Sequence, residues 1–123
     1  MNPVEHWLDM LRHRRWMLHL GGSDPRQPDW MAAYLRWPGA TDVVIIRAED
    51  DATAFRVPPN GAIDVLDPQW VTWVYSAGAV WTLRAVLTLP PPGAAGEPVC
   101  LMCAPASCRI PQVGRRPVTV RPL

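Results

Sequence analysis

Lysine is absent from the sequence, and all twelve basic residues are arginine. Codon usage in a GC-rich bacterial genome explains this bias together with the fifteen prolines, so the bias alone indicates no ligand. Acidic residues number eleven, and the formal net charge is +1. A charge this small gives no electrostatic reason to expect nucleic acid or an anionic membrane as the partner of the whole chain.

The sequence also lacks the short motifs that mark common catalytic sites. It contains no G-x-S-x-G nucleophile motif, and the glycine pair Gly21-Gly22 is not followed by the lysine of a phosphate-binding loop. His6 and His13 fall on one face of a predicted helix, but two helical turns separate them, about 10.5 Å along the axis. That distance is too long for both to hold one metal ion directly. We therefore expect a protein that is not an enzyme and that binds no cofactor.

No secretory leader is recognisable near the start, because Glu5 and Asp9 interrupt the apolar positions. The pair Arg14-Arg15 precedes an apolar run that ends after five residues, which is too short for an export signal. A second apolar stretch, residues 70–89, is long enough to be considered as a membrane helix, but its residues alternate as they do in a strand. We therefore expect a cytoplasmic protein without membrane contact.

Cysteine is scarce and confined to the C-terminal part of the chain. Cys100 and Cys103 form a C-x-x-C pair and Cys108 follows, a spacing that suits shared ligation of zinc. A closed structural site needs a fourth ligand, which a histidine would have to supply from the other end of the chain. We therefore expect three reduced thiols and no metal site, with zinc binding through these cysteines as the alternative.

Hydrophobic periodicity predicts two helices near the N-terminus. Asn2-Pro3 is typical of a helix start, and positions 4, 7, 8, 11 and 18 fall on one helix face. Trp16, Leu18 and Leu20 also alternate with Met17 and His19, so the last turn of this first helix could instead be a short strand. A second helix is expected at residues 29–36, where Pro38-Gly39 would end it.

From residue 43 the pattern changes to the alternation of strands. β-Branched residues predict strands at 43–48, 53–57 and 63–66, and residues 70–89 predict a hairpin that turns at 76–79. Together these elements predict an α+β fold, in which two N-terminal helices pack on a mainly antiparallel sheet of about five strands.

The second strand of the predicted hairpin carries the most specific expectation. Side chains alternate between the two faces of a strand, so residues of one parity should be buried together. The parity expected to be buried comprises Trp81, Leu83, Ala85 and Leu87. Thr82 and Arg84 have the other parity, and we expect them to reach solvent or a partner.

Beyond Leu89 the composition changes. Residues 90–123 hold eight of the fifteen prolines and four arginines against one acidic residue, Glu97. Proline lacks a backbone N–H, so such a segment cannot form a central strand or a regular helix. We therefore expect a single small α+β domain at 1–89 and a proline-rich, basic, irregular or flexible tail at 90–123.

Tryptophan is unusually abundant, with seven residues against one phenylalanine. Most of the seven are expected in the core, but Trp70 and Trp73 have opposite parity in one strand and cannot face the same core. Tryptophan and arginine are enriched where proteins bind one another. The candidate binding residues are Trp70, Trp73, Arg84 and Trp37.

These observations favour a small non-catalytic protein-interaction module, such as an adaptor, an immunity-type protein or an accessory subunit. Its partner would be another protein or a second copy of the chain. One alternative is a nucleic-acid-binding accessory protein that uses the arginine-rich tail and exposed aromatic rings. The other is a small metal-binding protein that uses the tail cysteines.

Overall fold

An antiparallel sheet with two helices on one of its faces is the framework of the chain. A computed structural model describes residues 3–22, 28–110 and 118–120, the last three by their backbone alone. The helices are α1 (Pro3–His13) and α2 (Ala79–Leu87). The strands are β1 (Met17–Gly21), β2 (Trp30–Trp37), β3 (Ala40–Ala48), β4 (Asp51–Val57), β5 (Trp70–Val71), β6 (Trp73–Ala77), β7 (Met102–Cys103) and β8 (Val118–Val120).

Six strands form the main sheet in the order β6-β4-β3-β2-β1-β8, and every neighbouring pair is antiparallel. β5 and β7 form a separate two-stranded sheet. The predicted α+β class, with two helices and a mainly antiparallel sheet of about five strands, is confirmed. Within the described ranges, no helix is long and apolar enough to cross a membrane. The division of the chain at residue 89 stays a prediction.

Two glycines explain how the first three strands pair. Pro38 and Gly39 form a two-residue turn between the paired ends of β2 and β3, and Gly39 has a φ of 94°, which favours glycine. Gly21 lies opposite Trp30 at the other end of β2, and a Cβ atom on Gly21 would collide with the indole ring. Larger residues at either position would therefore disturb the β1-β2-β3 meander.

The second N-terminal helix predicted at residues 29–36 is wrong, because these residues form β2. This strand lies between β1 and β3 and is covered on both faces, so it shows no clear alternation of apolar and polar residues. Ala32 and Ala33 are buried on opposite faces and also favour helices, which misled the prediction.

The strand predicted at 63–66 is also wrong, since turns and bends occupy these residues. The short strand considered after α1 is confirmed as β1.

The hairpin predicted at residues 70–89 is wrong in its second half, which forms α2. Five side chains of this helix are buried, at the i, i+3, i+4 spacing of a helix face: Ala79, Thr82, Leu83, Val86 and Leu87. Trp81 is therefore exposed and Thr82 buried, the reverse of the expectation, and Ala85 is half-buried. Leu83 and Leu87 are buried and Arg84 is exposed, as expected.

The apolar composition of α2 explains this error. All residues from 79 to 87 except Thr82 and Arg84 are apolar, so the segment fits a strand period and a helix period almost equally well. Thr82 is polar but lies in the buried stripe, which hides the helical pattern. The helix ends at Thr88, whose Oγ1 hydroxyl donates to the Arg84 carbonyl at 2.7 Å, shortly before Pro90.

Both helices cover the same face of the sheet and form the first core. Leu11 of α1 and Leu83, Val86 and Leu87 of α2 pack there with side chains of the strands. The strand side chains of this core are Leu18 of β1, Ala33 of β2, Val44 of β3 and Ala54 of β4, with Trp16 from the turn before β1. Small alanines under the helices allow the helix axes to approach the sheet closely.

Turns, irregular segments and a short 3-10 helix (Ala106–Cys108), rather than α-helices, cover the opposite face and form a second core. Its buried residues are Ala32, Val43, Ile45, Phe55, Val57, Leu66, Val71, Cys108 and Ile110. The Ile110 amide donates to the Leu66 carbonyl at 2.9 Å, and the Ala104 amide donates to the Gln69 carbonyl at 3.0 Å. Residues 104–110, which lie in the segment expected to be an irregular tail, therefore contact the body of the protein.

A buried ion pair links β3 to β4 on the helix-covered face. Arg56 donates through Nε to Asp42 Oδ1 at 2.6 Å and through Nη2 to Oδ2 at 2.9 Å, and both side chains are 2% exposed. Trp37 Nε1 also donates to Asp42 Oδ2, at 3.0 Å, and Arg56 Nη1 donates to the Pro90 carbonyl at 2.7 Å. The network therefore connects β2, β3, β4 and the segment that follows α2.

Replacing Asp42 with asparagine should destabilise the fold by about 3–5 kcal/mol, because the buried Arg56 guanidinium would lose its counter-charge. Asp67→Asn is the matched control, since Asp67 pairs with Arg109 at 3.3 Å on the exposed surface. That change should cost less than about 1 kcal/mol. Urea unfolding measures both, and equal losses would contradict the importance given to the buried pair.

Replacing Thr82 with valine should stabilise the protein by about 1 kcal/mol, because the Thr82 hydroxyl is buried without a hydrogen-bond partner among the described atoms. Thr88→Val is the control, since it removes a hydroxyl that does have a partner, and it should be slightly destabilising. If Thr82→Val instead destabilised the protein, the Thr82 hydroxyl would have a hydrogen-bond partner, and its unpaired state in α2 would be wrong.

Thiol labelling should distinguish the packed cysteine from the other two. Burial raises the pKa of Cys108 to about 11, whereas Cys100 and Cys103 are exposed. At pH 8 only about one Cys108 side chain in a thousand would then be a thiolate. We expect two thiols per chain to react quickly with an aromatic disulfide reagent and the third to react only slowly until urea is added. Three equally fast thiols would show that residues 104–110 do not pack.

Candidate functional site

β6 forms one end of the main sheet, so one edge of this strand pairs with no other strand among the described residues. Its sequence, Trp-Val-Tyr-Ser-Ala, contains neither a charged residue nor proline. Its register with β4 runs from Arg56↔Trp73 to Ala52↔Ala77 without a bulge. Charge, proline and bulges are the usual means by which a sheet edge is protected from further pairing. This edge has none of them.

The side chains of β6 alternate between the two faces, as its position requires. Val74 packs on the second core, and the Ser76 hydroxyl lies 3.1 Å from the Thr53 hydroxyl on that face. Trp73 contacts the first core on the opposite face. Tyr75 has the same parity and stacks on Trp73, with ring centroids 6.3 Å apart and an interplanar angle of 10°. The Tyr75 side chain remains 37% exposed.

α2 adds a second exposed aromatic ring close to this edge. The helix follows β6 directly and packs against it. Because α2 buries the face that carries Leu83, its outward side carries Trp81 and Arg84, and Trp81 is 59% exposed. The Arg84 guanidinium carbon lies 5.8 Å from the centroid of the Trp81 ring, a cation–π arrangement. We call Trp73, Tyr75, Trp81 and Arg84, together with the unpaired side of β6, the aromatic edge.

Two of the four candidate binding residues belong to the aromatic edge. Trp73 and Arg84 lie on the adjacent elements β6 and α2, whereas Trp37 and Trp70 lie elsewhere. Trp37 is half-buried and donates its N–H to Asp42. Trp70 is 39% exposed and pairs with Cys103 in the small β5–β7 sheet. The structure therefore separates the tryptophans that the sequence grouped together.

Tyr75 and Trp81 belong to the aromatic edge but were not among the residues expected from the sequence to bind a partner. Tyr75 alternates with Val74 and Ser76, so its shared parity with Trp73 was visible in the sequence. Trp81 was assigned to a buried parity because α2 was taken for a strand, and the helical period that exposes it becomes evident only once Thr82 is accepted as a buried residue.

The three cysteines do not meet in the structure. Cys100 and Cys103 are exposed, whereas Cys108 is buried in the second core. In the described ranges, no group of three or more histidine, cysteine, aspartate or glutamate side chains is placed to hold a metal ion. Of the tail arginines, Arg109 pairs with Asp67, and the other three lie outside the described residues.

Comparison with known proteins identifies no relative. No protein-family model matches the chain, and no match was found among the curated proteins or the solved structures. The aromatic edge is therefore interpreted from its own geometry.

Proposed function

We propose that the protein is a small interaction module that binds another polypeptide by adding a strand of the partner to β6. The unprotected edge of β6, flanked by exposed aromatic rings, is the observation that supports this proposal. A strand at the end of a sheet presents a row of backbone N–H and C=O groups, which an extended peptide can satisfy by main-chain hydrogen bonds.

The side chains of the aromatic edge supply the contact area that main-chain hydrogen bonds lack. Tryptophan, tyrosine and arginine are the residues that most often dominate the binding energy of protein interfaces. Tyr75 and Trp81 are large, have few rotatable bonds and are already held by Trp73 and Arg84. Little side-chain entropy would therefore be lost when a partner covers them.

The chemistry of the edge also describes the partner. Arg84 forms no ion pair with an acidic side chain among the described residues, and its guanidinium contacts the Trp81 ring. An acidic residue of the partner can therefore pair with Arg84 while apolar residues at alternate positions cover Tyr75. The expected partner segment is extended, with alternating apolar side chains and a nearby carboxylate.

A selection of displayed random peptides against the full-length protein tests this function. Enriched peptides, made synthetically, should bind the wild-type protein, and Tyr75→Lys should weaken them by about tenfold or more, because lysine at an edge opposes strand pairing. Trp70→Ala is the matched control, since Trp70 is as exposed as Tyr75 but lies on β5. Its effect should be less than about twofold. Amide chemical shifts of residues 73–77 should change on binding.

Other outcomes of this experiment also decide the proposal. A concentration-dependent mass of twice 13.7 kDa that Tyr75→Lys abolishes would identify a second copy as the added strand and support the proposal. Selected peptides that perturb β5 and leave β6 unchanged would contradict it. If no peptide is enriched and single-stranded oligonucleotides bind with an affinity that falls steeply as salt is added, the partner of the protein would instead be a nucleic acid.

A further inference from the structure

A cleft of about 760 Å³ opens at the C-terminal end of α2. The turn between α1 and β1, the ends of β2 and β3, and the segment after α2 enclose it. The lining residues are Arg14, Trp16, Leu35, Arg36, Trp37, Asp42, Val86, Leu87, Thr88, Leu89, Pro90 and Pro91. Most of these side chains are apolar, and the volume lies within the range of small-molecule sites.

The acidic residue of the cleft is already neutralised. Asp42 accepts two hydrogen bonds from Arg56 and one from Trp37, so its carboxylate has a full set of strong donors. A cationic ligand would therefore find no uncompensated carboxylate among the lining residues.

One guanidinium is left to face a ligand. Arg36 also lines the cleft. Its guanidinium carbon, however, lies 5.4 Å from the centroid of the Tyr34 ring. Residues 34 and 36 belong to the face of β2 opposite to that of Leu35 and Trp37, which face the cleft. Arg14, by contrast, is exposed and donates through Nη1 to the Leu87 carbonyl at 2.6 Å. It has no acidic partner among the described residues. Its Nε and Nη2 groups therefore remain for an anion.

The Trp16 ring forms part of the cleft wall. Trp16 is 2% exposed, and its Nε1–H is buried without a hydrogen-bond partner among the described atoms. That nitrogen is covered by protein atoms, so we assign it no role in binding. The charge of Arg14 is what points to the group that the cleft would take, an oxygen-bearing anion.

We propose that this cleft binds a small apolar monocarboxylate, whose carboxylate pairs with Arg14 and whose hydrocarbon body lies against the apolar walls. A single guanidinium suits a single negative charge, and its remaining N–H groups match the two oxygens of a carboxylate. The apolar walls, which include Leu89 and Pro90, exclude water from the hydrocarbon part of the ligand. This site is independent of the aromatic edge.

Calorimetric titration with octanoate tests the proposal. Octanoate should bind the full-length protein saturably with one site per chain, and 1-octanol, which has the same chain length without the charge, should bind about tenfold more weakly or worse. Arg14→Gln should also weaken octanoate about tenfold. Arg12→Gln is the matched control, since Arg12 is exposed on α1 but does not line the cleft, and octanoate affinity should stay within about twofold.

A second variant keeps the result decisive if Arg14→Gln unfolds the end of α2. Leu89→Trp narrows the cleft while leaving Arg14 in the sequence, and it should abolish octanoate binding while thermal unfolding stays cooperative. The indole N–H resonances of Trp16 and Trp37 should shift when octanoate binds the wild-type protein. Equal affinity for octanoate and 1-octanol, unchanged affinity in both variants, or no saturable binding would overturn the proposal.

Discussion

The buried pair of Asp42 and Arg56 is the interaction on which the arrangement of the helix-covered face depends. Two opposite charges out of water are stable only when they have hydrogen-bond partners, and here Trp37 and the Pro90 carbonyl add to the bonds that Asp42 and Arg56 make with each other. Because these four groups come from β2, β3, β4 and the segment after α2, satisfying the charges also fixes where α2 ends. The cleft and Arg14 derive their geometry from that position, since Arg14 reaches the Leu87 carbonyl of the same helix end.

The two faces of the sheet are covered in physically different ways. Helices cover one face with regular stripes, whereas turns and the segment 104–110 cover the other with single side chains such as Leu66 and Ile110. A sheet buried on both faces has strands without alternation, and its open edges are the outer sides of its two end strands, β6 and β8. The aromatic edge is thus a consequence of the topology: burying both faces concentrates the unsatisfied backbone groups at the edge of the sheet.

Sequence patterns predicted β3, β4, the first helix and the α+β class, because each of these signals is local, although the same signal at residues 63–66 wrongly predicted a strand. They failed at β2 and α2, where burial on both faces or a nearly uniform apolar composition removes the periodicity that separates helix from strand. The same ambiguity decided the candidate site. Trp73 and Arg84 were selected for their residue type. Trp81 was missed because its exposure depends on the helical period. The role of Trp37 as a donor to Asp42 arises from a contact between strands that no local sequence pattern records.

The late position of residues 104–110 in the chain has a consequence for protein synthesis. All side chains of the first core are outside the ribosome once Leu87 has emerged, but the second face lacks Cys108 and Ile110 until 23 further residues have emerged. At typical rates of translation this delay is about 1–5 s, which is long compared with the folding time of a small domain. During that interval Val43, Ile45 and Phe55 are incompletely covered on the nascent chain. The second core can therefore form only after the first.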